Sequence, residues 1–307
     1  KKGIINNVVI SIQGLVSKIS QHYFASLPYH VIKSYTFRDF VRKDNIYNAY
    51  KKMLKSGQLE IEVLQKVRHI IGRTTWDKAC ATQINPIAQY HLCNETLREI
   101  FYLHQWSSNE CEPYSIFISQ AAYPIKGLHY LLEAMPLILQ QYPHAKIYIA
   151  GDNCIRTGSL RNKFRITSYG KYIKELIKKY DLENHIIFTG VLDEEQMCKR
   201  FLKSNVFVCP SSIENSPNSL AEAMILGVPS VTSNVGGIPD MLKDKEEGFL
   251  YQSDAPYMLA YYICYIFSNQ ELANTFSIKS REHALGTHNK DRNLKQLKEI
   301  YREIIEC

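Results

Sequence analysis

From residue 115 onward the chain alternates two patterns, and this alternation restricts its fold more than any other feature. Short runs of β-formers, "YSIFISQ", "AKIYIAGD", "HIIFTG", "NVFVCP" and "PSVTSN", are separated by longer runs with helical spacing. In "GLHYLLEAMPLILQQY" the apolar residues fall at 128, 131, 132, 135, 138 and 139, one face of a helix. The helices "GKYIKELIKKYDL" and "DEEQMCKRFLKS" follow, the first preceded by a basic loop. Repeated strand–helix units predict an α/β fold with a parallel, doubly wound sheet whose ligands bind beyond the carboxyl ends of its strands. Pro136 is a misfit. Inside the first helix it removes a backbone donor and crowds the preceding turn, which predicts a kink or a break.

Residues 1–112 repeat the theme on a smaller scale. "NNVVISIQGL" reads as a strand ending in a Gly loop, "EIEVLQKVRHIIGRT" as a helix running into a strand, and "WDKACATQINP" as a helix that Pro86 stops. The expected organisation is a front unit over 1–112, a larger unit over 113–288, and a terminal helix over 289–307 with apolar residues at 294, 297, 300, 301 and 304. The front unit is small for a nucleotide-binding partner and the chain opens on Lys1, so it is expected to lack its first strand–helix units.

Composition narrows the class. Apolar residues make up 45% and charged residues 22%, which excludes a disordered chain. Eight cysteines, at 80, 93, 111, 154, 198, 209, 264 and 307, form no CxxC pair and no zinc-ligand spacing, so reduced cytoplasmic thiols are expected, with Cys209 a small buried hydrophobe. The longest apolar run, "MLAYYICYIF" at 258–267, is too short to span a bilayer and reads as a buried helix. The net charge of +7 is concentrated in front: residues 1–112 carry 15 Lys/Arg against 9 Asp/Glu. "KSYTFRDFVRKDNIYNAYKKMLK" therefore reads either as a solvated face or as a surface for an anionic membrane or phosphate-bearing acceptor. No recognised module points to nucleic acid.

The chemistry concentrates in "VFVCPSSIENSPNSLAEAMILGVPSV", residues 206–231. Ser216 is expected to cap a helix with Pro217 at its first position, and Gly227 and Pro229 to end it. Its first N–H groups, at Asn218 and Ser219, would then face the cleft and attract phosphate. Glu214 and Glu222 suit neutral hydroxyls of the same ligand, since carboxylates only accept. Taken alone, they fit a surface loop acid and a solvated helix residue equally well.

The pair Glu214 and Glu222, seven residues between them, followed by "AEAMILGVPSVTSNVGGIPDML", resembles the signature of glycosyltransferase family 4, retaining nucleotide-sugar enzymes of the GT-B fold. "YPIKGLHYLLEAMPLILQQYPHAKIYIAGD" resembles that family's entry into its donor domain, and the likeness covers roughly residues 115–290. It implies two Rossmann-like domains with parallel sheets, the first incomplete here. It implies that Glu222 holds the donor ribose, that Glu214 binds the transferred sugar near its anomeric carbon, and that the backbone of Asn218 and Ser219 holds the diphosphate. Lys126 would neutralise the leaving phosphate, while Gly151 and "TGVL" at 189–192, with Val191, line the base pocket by backbone contact. Asn215, Ser216, Leu220 and Gly127 complete the implied donor site. Gln13, Gly14 and Arg73 would lie on the acceptor side.

Three positions depart from the family pattern. Ala121 stands where an Arg is common, Gln13 where a His is, and Asp240 where a Glu is. Arg73 or Arg98 is expected to supply the missing cation. The resemblance implies no metal and no cofactor beyond the nucleotide-diphosphate sugar as co-substrate, and a glycan or lipid-linked acceptor. It also implies a cytoplasmic location, peripheral at the inner membrane face, in cell-surface polysaccharide assembly. A sugar-nucleotide epimerase of the same fold and a non-catalytic nucleotide-sugar binder are the alternatives.

Overall fold

The computed structural model describes residues 8–155 and 164–306. The basic loop falls largely on 156–163, outside the described residues. Nine strands form two sheets among the described residues, and every pairing is parallel. The first sheet has the order β1-β2-β3, from Val9–Ser11, His69–Gly72 and Gln89–Leu92. The second has the order β6-β5-β4-β7-β8-β9, from Ser115–Ile118 (β4), Lys146–Ala150 (β5), Ile186–Gly190 (β6), Val206–Cys209 (β7), Ser230–Ser233 (β8) and Phe249–Tyr251 (β9).

The longer helices are Ile46–Leu64 (α1), Thr75–Ile84 (α2), Leu128–Gln141 (α3), Ser168–Lys179 (α4), Glu194–Leu202 (α5), Asn218–Leu226 (α6), Pro256–Ser268 (α7), Gln270–Thr287 (α8) and Lys290–Glu306 (α9). They cover the sheet faces, which is why β2, β4, β7 and β8 are buried along their whole length. The apolar run at 258–267 lies within α7, whose Leu259, Ala260, Ile263, Cys264 and Ile266 are buried. No described helix is long and apolar enough to cross a membrane.

Two local expectations need correction. Helix α3 runs through Pro136 without a break. Eight of its side chains are buried, from Leu128 to Ile138, and this packing holds both halves of the helix in place despite the lost donor. Helix α6 starts at Asn218, one position later than expected, with Pro217 as its cap residue and no side-chain cap from Ser216. Pro217 has ψ 118°, so it stays extended, while its carbonyl accepts the first helical bonds from Leu220 and Ala221.

The strand order places the site. From β4 the chain winds outward through β5 and β6, then returns to β7 beside β4 and continues the other way. The crevice between the carboxyl ends of β4 and β7 is thus the topological switch point of the larger sheet. Helix α9 lies on the smaller sheet: Ile300 and Ile304 pack with Ile71 and Cys93, and the Gln296 side chain donates to the Leu92 carbonyl.

Candidate active site

The loops after β4 and β7 meet at Gly127. Its φ is +70°, and a Cβ there would sit 1.8 Å from the Pro210 carbonyl oxygen, so only glycine lets the two loops approach this closely. The approach sets Lys126 against Glu214, Nζ to Oε1 2.6 Å, and the Ser211 hydroxyl donates to the same oxygen at 2.7 Å. Burial lowers the Lys126 pKa, but the charge and hydrogen bond of Glu214 outweigh it and the net shift is upward. Lys126 therefore stays a cation at neutral pH.

The "GG" at 236–237 is more than a tight turn. A Cβ on Gly236, where φ is +53°, would meet the Glu214 carbonyl oxygen at 1.9 Å, and the Gly237 N–H donates to that carbonyl at 3.0 Å. The two glycines hold the backbone that carries Glu214.

Glu222 is not solvated: it is 6% exposed. Arg98 faces it from the segment joining the two sheets, with Nε 2.9 Å and Nη2 2.8 Å from Oε1. Burial raises the Glu222 pKa and Arg98 opposes the rise, leaving it above the ordinary value. Arg98 also stacks over Phe101, 4.6 Å from the ring centroid. Of the two arginines expected to replace the missing cation, this one pairs with Glu222, which lines the crevice, so its charge is directed at a carboxylate.

A cleft of roughly 350 Å³ opens at the switch point, and it brings together Lys126, Gly151, Val191, Glu214, Asn218, Ser219 and Glu222. Leu192, from the predicted "TGVL", lines it too, while sequence reasoning missed three of its other residues, Ser119, Gln120 and Met197. Ser119 and Gln120 directly follow β4, and the rule that ligands sit beyond strand ends was the available signal. Among the described residues, no group of three or more His, Cys, Asp or Glu is placed to hold a metal ion.

The remaining predicted residues lie elsewhere. Leu220 is fully buried. The Asn215 side chain turns away from the cleft to the smaller sheet, where Oδ1 accepts from the Thr74 hydroxyl at 2.7 Å and Nδ2 donates to Asp77 at 2.9 Å. Ser216 and Arg73 line a second cavity, about 260 Å³, on the other side of the loop. Arg73 is buried and paired with Glu95, and burial lowers its pKa, so its charge is already satisfied away from the cleft. Gln13 donates to Glu95 at 2.8 Å, and with Gly14 it lines a groove beside α1. Asp240 accepts from the Thr75 N–H and hydroxyl at the start of α2, which ties the two halves together.

The comparisons with known proteins agree with this layout. The sequence model of the family described as glycosyl transferases group 1 matches residues 101–283. YtcC of Bacillus subtilis (strain 168), which carries a glycosyltransferase name, is 32% identical over 185 residues, 59% of this chain and 43% of that protein. The poly(ribitol-phosphate) alpha-N-acetylglucosaminyltransferase of Staphylococcus aureus (strain COL) is 26% identical over 163 residues, 53% of this chain and 30% of that protein. The solved structure of Anabaena HepE in complex with UDP-glucose superposes with a TM-score of 0.73 at 15% identity, covering 96% of this chain and 72% of that chain. Sucrose-phosphate synthase from Thermosynechococcus elongatus also gives 0.73, at 18% identity, covering 98% and 68%. The chain spans less than half the length of the first curated relatives it matches, 43% to 45%. At these identities the solved structures speak for the fold, which is GT-B, and the family match extends over more than half of the chain. A parallel switch-point cleft holding a paired lysine and glutamate, together with that match, identifies the chain as a member of the glycosyl transferases group 1 family.

Proposed function

We propose that the chain is the donor-binding and reacting part of a retaining glycosyltransferase that moves a sugar from a nucleotide-diphosphate sugar to a glycan or lipid-linked acceptor in cell-surface polysaccharide assembly. The observation that carries the reading is the cleft itself, where the Lys126–Glu214 pair, the first N–H groups of α6 and the buried Glu222 face one space. HepE, of the same fold, is a structure with UDP-glucose bound, which supports a nucleotide sugar as co-substrate.

Each group has a distinct task in this reading. The N–H groups of Asn218 and Ser219 start a nine-residue helix and offer donors and a positive dipole end to the diphosphate. Lys126, held cationic, offsets the charge that grows on the phosphate oxygen as the bond from C1 of the sugar to that oxygen breaks. The acceptor hydroxyl forms its bond to C1 on the same face, and its proton passes to the departing phosphate. The Glu214 carboxylate accepts from Lys126 and Ser211 on Oε1, which leaves Oε2 to accept from sugar hydroxyls and to face the positive charge developing on the ring. Glu222 accepts from the ribose.

A thermal-shift screen with UDP-, GDP- and ADP-sugars tests the binding half, since a ligand at 100 times its Kd stabilises by about 2.7 kcal/mol. Transfer to a membrane or glycan extract tests the chemistry. Lys126→Ala should lower turnover by about a hundredfold or more while binding persists. No response to any nucleotide sugar would sink the reading, and an altered nucleotide sugar released without acceptor would favour an epimerase.

A further inference from the structure

Arg98 acts on the cleft through another residue. The cleft lining includes Glu222 and leaves out Arg98, yet the guanidinium sets Nε 2.9 Å and Nη2 2.8 Å from a single carboxylate oxygen, Oε1. Two cationic donors on Oε1 leave Oε2 to accept from a ligand. The support behind Arg98 is rigid. Its neighbours Leu97 and Phe101 are buried, the Leu97 N–H donates to the Tyr102 hydroxyl at 3.1 Å, and that hydroxyl donates to the His288 carbonyl at 2.7 Å. The Phe101 ring beneath the guanidinium packs edge-on against Phe201 at 6.0 Å. A planar fork held between a fixed ring and a carboxylate gives that carboxylate one orientation.

The charges around Glu222 single out the same residue. From α5, Glu194 disfavours a second anion, and the Cys198 thiol is pushed up to about 11 by burial and so stays neutral. From α8, Arg281 donates to the Ile225 carbonyl near the far end of α6. Across the cleft Lys126 is paired with Glu214. Among the described residues, Arg98 is therefore the cation that opposes the burial of Glu222. Ionisation matters for recognition, because a carboxylate accepts charge-assisted bonds about twice as strong as neutral ones, while a protonated carboxyl gives up part of its acceptor capacity. We propose that Arg98 is the positioning residue for ribose recognition, gripping Oε1 of Glu222 so that Oε2 receives the vicinal ribose hydroxyls of the donor nucleotide. This inference rests on the reading of Glu222 as the ribose acceptor.

Calorimetric titration of the full chain with UDP, GDP and ADP, each compared with its 2′,3′-dideoxy form between about pH 5.5 and 8.5, tests the proposal. The affinity ratio within each pair isolates the ribose contacts, since titration of the diphosphate is common to both members. In the wild type the ribonucleotide should bind tighter by about tenfold or more. Arg98→Met should cut that ratio by about fivefold or more near neutral pH, and the pH midpoint at which the ratio is lost should lie higher than in the wild type. Arg98→Lys should return the midpoint most of the way, because it restores the charge, but regain only part of the ratio, because an ammonium cannot reproduce the planar fork. Equal weakening of both members of a pair in Arg98→Met, with an unmoved midpoint, would overturn the proposal and leave Arg98 a structural residue. A wild-type ratio in Arg98→Lys would overturn the two-bond grip, and it decides the matter if the methionine variant does not fold. A wild type that binds a diphosphate without distinguishing its dideoxy form would overturn the inference alone, whereas one that binds none of the three would sink the nucleotide-sugar reading beneath it.

Discussion

Replacing Arg98 with methionine removes the guanidinium that faces Glu222 while keeping most of the side-chain bulk. Breaking a fully buried pair typically costs about 3–5 kcal/mol, because the remaining charge is left uncompensated. Arg98 is 39% exposed, so solvent already screens part of the interaction, and about 2 kcal/mol is the expected loss near neutral pH. In a unit of this size that corresponds to a melting temperature lower by roughly 4–8 °C. The pH dependence has a definite sign. Burial holds the Glu222 pKa above its ordinary value even with Arg98 present, and removing Arg98 raises it further. A carboxyl whose folded pKa is raised favours the fold fully below its unfolded pKa and loses that contribution as pH rises through the folded value. The gap between wild type and Arg98→Met should therefore be wide at about pH 7.5 and narrow toward about pH 4.5. Thermal melts across that range provide the assay, with Arg98→Met plus Glu222→Gln as the control that should recover about half of the loss or more. A gap of the same size at every pH, unrelieved in the double variant, would refute the electrostatic account. It would leave the contact with Phe101 as the contribution of Arg98.

Gly127→Ala should destabilise the larger unit by about 2 kcal/mol or more and abolish nucleotide-sugar binding, because φ is positive there and the new Cβ would collide with the Pro210 carbonyl; urea titration reads the first effect. His129 donates to the Ala25 carbonyl through Nε2, faces the Tyr169 hydroxyl through Nδ1, and is held neutral by burial with a pKa lowered to about 4. The unfolded chain binds that proton near pH 6.5, so stability present above that pH should fall by about 3 kcal/mol as pH drops through 4, and His129→Gln should flatten the fall in acid melts. Asn215→Ala should cost about 2 kcal/mol and loosen the contact between the two halves, since it strips buried partners from Thr74 and Asp77; limited proteolysis of the joining segment reports the loosening.

The sequence by itself determined the strands and helices of the larger unit, because strand and helix periodicity and the stop at Gly227 are properties of neighbouring residues. It also singled out Glu214 and Glu222, through chemistry that pairs helix-terminal donors with carboxylate acceptors, and Lys126 through the family resemblance of "YPIKG". Tertiary structure alone decided what those groups face. Lys126 meets Glu214 across 88 residues and Arg98 meets Glu222 across 124, encounters set by the order β6-β5-β4-β7-β8-β9, which no local pattern encodes. The same order turned Asn215 and Ser216 away from the cleft although they stand between the two glutamates in the chain. Packing energy also overruled local preference where it was larger: α3 passes through Pro136 because eight buried side chains outweigh one missing donor. In the helix Phe37–Arg42, the bonds from Asp39 and Thr36 to residues more than a hundred positions away dictated which side faces outward.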